Sequence, residues 1–149
     1  MEAIPTSTSL SNKIKKVLSV FEKRINLPKI NPYSYYLTTI ILSFSFFYLE
    51  SARLKIIIML LVLISDWLDN ATIRQHYKNS VDSWTSDVLI NRLSEGLIFT
   101  AEVDHRMGKL FFLLWLGNIM LSFHSVEVKK HLILPIRFLY IFILLFQIF

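Results

Sequence analysis

Apolar and polar positions divide this chain into one amphipathic segment followed by five apolar blocks. Over residues 10–25, Leu10, Ile14, Val17, Leu18, Phe21 and Ile25 recur at helical spacing, and lysines fill the other faces. This pattern predicts a helix lying in a headgroup layer. The stretch 26–32, NLPKINP, ends it, because two prolines cannot continue a helix. The apolar blocks cover 33–49, 54–65, 84–101, 110–123 and 132–149. The second is expected to run on as a helix through Asp66 and Asp69, with a turn over 71–81 before the third. Several blocks fall short of the ~20 residues that span a bilayer core, so flanking Lys, Arg, Tyr and Trp must complete them. The expected architecture is an all-α integral membrane protein with about five transmembrane helices and an N-terminal amphipathic interfacial helix. Residues 1–32 form a basic N-terminal segment and 33–149 the transmembrane bundle.

Composition agrees with this reading. Of 149 residues 54% are hydrophobic, and mean hydropathy is +0.50, more apolar surface than a soluble domain of this size could cover. No cysteine is present, so disulfides and thiolate metal sites are excluded. The first residues, MEAIPTSTSLSN, lack the pattern of a secretory signal. Six of the sixteen Lys and Arg lie in the first 29 residues, suited to anionic lipid headgroups. With the N-terminus inside, ten basic residues fall on that side. Four (Arg53, Lys55, Arg106 and Lys109) fall outside. The excess predicts a multi-pass protein of the cell membrane, its N-terminus and its acidic stretch facing the cytoplasm.

That acidic stretch is 66–91, DWLDNATIRQHYKNSVDSWTSDVLIN. Asp66 and Asp69 are three apart and share one helix face. Ser83, Asp87 and Asn91 share another at four-residue spacing. If the two faces meet, three carboxylates and an amide converge near a membrane surface, the kind of oxygen-rich cluster that holds a hard cation such as Mg²⁺ and, with it, substrate phosphates. Arg74 and Arg137 would complete an anion site. The plainer alternative pairs these acids with Arg74, Arg92 or a lysine. Other chemistries lack support. The four histidines have no HExxH spacing, no serine has a nucleophile-elbow context, and no phosphate-binding glycine loop occurs. The basic N-terminus lacks the context of a nucleic-acid module, so no nucleic-acid partner is expected. An ion channel is remote, because the polar groups cluster at one surface.

The same stretch resembles the signature of the CDP-alcohol phosphatidyltransferases, D-x2-D-G-x2-A-R-x8-G-x3-D-x3-D. The spacing holds without a gap. Asp66, Asp69, Arg74 and Asp87 match, whereas Asn70, Ile73, Ser83 and Asn91 stand for Gly, Ala, Gly and Asp. Residues 91–99, NRLSEGLIF, are similar to a D-R-x-S-E-A-L-I-F continuation in archaeal, inositol-phosphate-type members. Looser likenesses occur at 27–39, at 122–130 and at Pro135 to Arg137, so the resemblance covers about 26–145. It implies a six-helix bundle that moves a phosphatidyl-type group from a CDP-linked lipid to a small polar alcohol such as inositol phosphate, releasing CMP. It implies that Asp66, Asp69 and Asp87 hold two Mg²⁺ or Mn²⁺ ions and that Asn70, Ile73, Ser83 and the two arginines border the nucleotide. It also implies a homodimer. Asn91 stands where the family places its base, and a carboxamide takes no proton at neutral pH. Glu95 lies one turn, about 5.4 Å, further along and is a poor substitute. Two functions follow: a transferase with weak activity, or a catalytically silent homologue that binds metal and nucleotide-lipid or serves as a structural subunit.

Overall fold

The computed structural model describes residues 27–76, 81–105, 107–128 and 134–148, without the side chains at 81–84 and 125–128. The amphipathic helix expected over 10–25 lies outside the described residues. Among the described residues the chain is all-helical, with five α-helices and no strand.

Helix α1, Pro32–Phe44, starts where the side chain of Asn31 accepts the Tyr33 N–H at 3.1 Å and Pro32 supplies a helical φ. It ends earlier than the apolar block suggests. A 3₁₀ turn, Ser45–Tyr48, tightens the chain, and the Ser45 hydroxyl donates to the Leu42 carbonyl at 2.6 Å. Helix α2, Ala52–His76, is 25 residues long. Here the expected turn over 71–81 is corrected. Ala71, Thr72 and Ile73 are buried, which keeps the helix intact to His76. Its end is tied down: the His76 Nε2 meets the Leu27 carbonyl at 2.8 Å, and the Gln75 side chain accepts the Leu27 N–H at 3.3 Å. Helix α3 is Val81–Ala101, α4 is Gly108–Val128 and α5 is Ile136–Phe146. A tight turn joins α3 to α4. Gly108 closes it with no room for a β-carbon, which would overlap the Glu102 backbone carbonyl.

Neighbouring helices pack in a closed order, α1 to α2, α2 to α5, α5 to α4, α4 to α3, and α3 back to α1. Helices α2 and α3, consecutive in sequence, are not close neighbours in this ring; α1 packs against both. One part of the interior is an aromatic core. Phe99, Phe111 and Tyr140 interlock with ring centroids 5.0 to 5.5 Å apart, packed with Phe46, Met59 and Leu144. The rest of the interior mixes apolar side chains such as Val62 and Ala71 with polar ones.

Buried polar side chains and exposed apolar ones occur together. Lys55, Asp69, Glu95, Glu102, Asn118 and Arg137 are buried. Leu37 and Ile41 on α1, Ile57 and Ile64 on α2, Leu113 and Met120 on α4, and Phe138 and Phe142 on α5 are exposed. Helix α2 is long and apolar enough to cross a membrane; α5 is a shorter apolar helix.

Candidate functional site

Five helices meet around the acidic residues through one polar network. Asp66, on α2, accepts from the Thr39 hydroxyl of α1 at 3.3 Å and forms an ion pair with Arg137 of α5. The second guanidinium nitrogen of Arg137 donates to the Asn91 backbone carbonyl of α3 at 2.9 Å. Its Nε lies 3.5 Å from Glu95. Glu95 is also paired with Arg92 and receives the Asn118 amide of α4 at 3.4 Å. Above Glu95 on α3, the Ser94 and Ser43 hydroxyls meet at 2.6 Å and join α3 to α1. Trp115 of α4 donates to the Arg92 carbonyl at 2.8 Å, an approach made possible by Gly96, where a β-carbon would strike the indole.

Asp66, Asp69 and Asp87 lie within range of one another's charge. Each acid is held differently. Asp66 is gripped by Arg137. Asp87 accepts the Asn91 side-chain amide at 3.0 Å, and Asn70 stands beside it while donating to the Asp66 carbonyl at 2.9 Å. Asp69 is 2% exposed and neither of its oxygens accepts a hydrogen bond. The Tyr36 side chain stands beside it. Carboxylates without donors are costly to bury, and this one is surrounded by like charge. That combination fits a hard divalent cation at Asp69 with Asp87 beside it. Asp66 is withheld by Arg137, and among the described residues no three acidic or imidazole side chains stand close enough to clasp one ion.

The remaining expected residues divide. Ile73 is buried, and Arg74 is exposed on the last turn of α2. The side chain of Ser83 lies outside the described residues. Glu95, weighed as a substitute base, is fully engaged by two guanidiniums and an amide. The plainer pairing alternative is realised in part, with different partners: Arg92 takes Glu95, and Asp66 takes Arg137.

Two features escape a reading of the sequence. Asn118 is buried in an otherwise apolar helix. It donates to the Leu134 carbonyl at 3.2 Å and accepts the Leu134 N–H at 3.0 Å, fixing the entry to α5 two residues before Arg137 begins its reach. A lone amide in the uncharged block 110–123 was the available signal. Asn118→Leu is expected to cost about 2–4 kcal/mol, since it strands the Leu134 backbone N–H and carbonyl; unfolding in detergent measures it, and a cost under about 0.5 kcal/mol would contradict the clamp. The second feature is an ion pair between Lys55 of α2 and Glu102 at the end of α3, 2.6 Å long with both side chains 4% exposed. Lys55 is therefore a buried member of α2 and no loop charge.

Comparison with protein-family models, with curated proteins and with solved structures gives no match. The likeness to the phosphatidyltransferase signature stands on its residues alone.

Proposed function

We propose that this chain is a multi-pass membrane protein of phospholipid biosynthesis, patterned on the CDP-alcohol phosphatidyltransferases, which keeps the ligand-holding part of that site and has lost its base. The observation that carries this reading is the hydrogen bond from the Asn91 amide to Asp87, 3.0 Å long. The position that in the family pattern removes a proton from an alcohol here holds an amide, which donates a hydrogen bond to a neighbouring carboxylate. Glu95 offers no replacement, because its oxygens are committed to Arg92, Arg137 and Asn118.

Support for the membrane comes from the many exposed apolar side chains, from the buried charged groups and from the length of α2. The excess of basic residues on one side supports an N-terminus and acidic site facing the cytoplasm. Asp69 and Asp87 would hold Mg²⁺ or Mn²⁺, which when bound would neutralise the diphosphate of a CDP-linked lipid. Asn70 orders the two acidic helices against each other, and Arg74 supplies positive charge at the exit of α2. Turnover is weak or absent, and the retained role is binding of the nucleotide-lipid; a second copy of the chain is the partner that the pattern implies.

The test is made on protein in nanodiscs with Mg²⁺ or Mn²⁺. CDP-lipid binding is expected to be measurable and to fall at least about tenfold in Asp69→Asn, one lost charged contact being worth roughly 1.4 kcal/mol or more. CMP release with inositol phosphate or other polar alcohols is expected near background. Brisk CMP release by the natural chain would sink the proposal, and so would CDP-lipid binding indifferent to Asp69.

A further inference from the structure

Leu27 is held by both of the residues that end α2. The Gln75 side chain accepts the Leu27 N–H, and His76 meets the Leu27 carbonyl. A carbonyl only accepts, so the His76 Nε2 carries the proton of that bond. The Leu27 side chain is itself buried. Four residues on, Asn31 caps α1, and between them the Ile30 N–H donates to the Pro28 carbonyl at 2.8 Å. Residues 27–31 are therefore fastened at one end to α2 and at the other to α1. Lys29 is exposed in this short connection, and Arg74 is exposed on the last turn of α2. Counted back from Leu27, the sequence sets Arg24, Lys23, Lys16, Lys15 and Lys13 within fourteen residues, against one acid, Glu22. The clamp thus joins a strongly basic segment to the end of α2. Asp69 lies seven residues before His76 on that helix, about 10 Å along its axis.

We propose that the Leu27 clamp couples the basic residues of 13–24 to α2, so that an anionic lipid surface bound by them stabilises the folded bundle. Each Lys or Arg close to such a surface raises the affinity for it by about fivefold. That attraction alone stabilises no fold, because a ligand taken up equally by the folded and unfolded chain shifts nothing. The clamp supplies the difference. In the folded chain it holds the root of the segment at the end of the bundle that carries Lys29 and Arg74, so both sets of charge act on one patch of headgroups. Once the bonds to Gln75 and His76 are lost, the two sets act separately. By linkage the headgroups then favour the clamped state as much as the clamp favours the headgroups. This rests on the membrane reading of the chain and is independent of what the acidic site binds.

Thermal unfolding in nanodiscs tests this, comparing discs of phosphatidylcholine alone with discs in which about three lipids in ten are phosphatidylglycerol. For the natural chain the anionic discs are expected to raise the unfolding midpoint by about 3 to 6 °C, the shift that a tenfold coupled preference gives a chain of this size. High salt is expected to remove that gain. Replacing Lys13, Lys15, Lys16, Lys23 and Arg24 together by glutamine should leave a gain under about 1 °C. The double variant Gln75→Leu with His76→Phe keeps every charge of the segment and breaks both clamp bonds. Its gain should also fall below about 1 °C. A gain that persists in this variant would overturn the coupling. A gain that persists without the five charges would overturn the part given to the basic segment. No gain in the natural chain, folded in both kinds of disc, would overturn the proposal and leave the membrane reading standing. A chain that stays dispersed with neither detergent nor lipid would fail the membrane reading and this proposal with it. Should the double variant fail to fold, His76→Phe alone carries the test: a reduced gain supports the coupling, and an unchanged gain overturns it.

Discussion

Asn91→Asp is expected to raise Mg²⁺-dependent CMP release from a CDP-lipid by about 10² to 10⁴-fold, the range that a positioned general base contributes. The substitution changes one atom group and leaves the backbone carbonyl that Arg137 uses. It also removes the amide donor from Asp87 and places a second carboxylate one helical turn away. Without a cation the variant should therefore be less stable than the natural chain. Magnesium should restore much of that loss, because a ligand that binds only the folded state stabilises it by mass action. The paired measurement is CMP release and thermal unfolding, each with and without Mg²⁺. A variant as inactive as the natural chain, though folded and binding CDP-lipid, would show that the missing base is not the defect.

The second large effect lies away from the acidic site. Lys55→Met is expected to destabilise the bundle by about 3–5 kcal/mol, because it leaves the Glu102 carboxylate buried without its cation. The double variant Lys55→Met with Glu102→Leu should recover most of this, since replacing a whole buried pair with apolar groups is often neutral or stabilising. His105 and Tyr140 also approach Glu102, so some loss should persist in the double variant. Unfolding in denaturant, with detergent held constant, separates the cases. Equal stability of the single variant and the natural chain would show that the pair contributes nothing. Lys55 sits three residues inside α2 and Asp66 eleven residues beyond it, about 16 Å along the axis. The pair is thus a separate fastening of α2 to α3, remote from the acids.

These contacts mark the boundary of what the sequence could disclose. Helices were legible because their apolar blocks are long and nearly free of charge, as in 110–123. Their ends were not. Residues 71–76, ATIRQH, read as a turn by polarity, yet Ala71 to Ile73 are buried and the helix continues. Residues 45–48 look like more helix, and the chain tightens there instead. Of the acidic residues, the face shared by Asp66 and Asp69 and the one shared by Asp87 and Asn91 follow from local spacing, and local spacing is visible in sequence. Arg137 to Asp66, Lys55 to Glu102 and Asn118 to Leu134 depend on which helix lies beside which. That order is set by closure of the ring, and no periodicity along the chain encodes it.

Ring closure also bears on how the protein is made. The acidic face of α2 leaves the ribosome 71 residues before the arginine that grips it. At about 5–20 residues per second, that interval is roughly 4 to 14 seconds. During it Asp66 lacks the Arg137 guanidinium, and of its two side-chain partners only Thr39 has been made. On the proposed membrane reading, insertion of α2 must therefore stop with those acids at an aqueous edge, and the Asp66 ion pair closes only when α5 docks. The acidic pocket is the part of this protein that is assembled last.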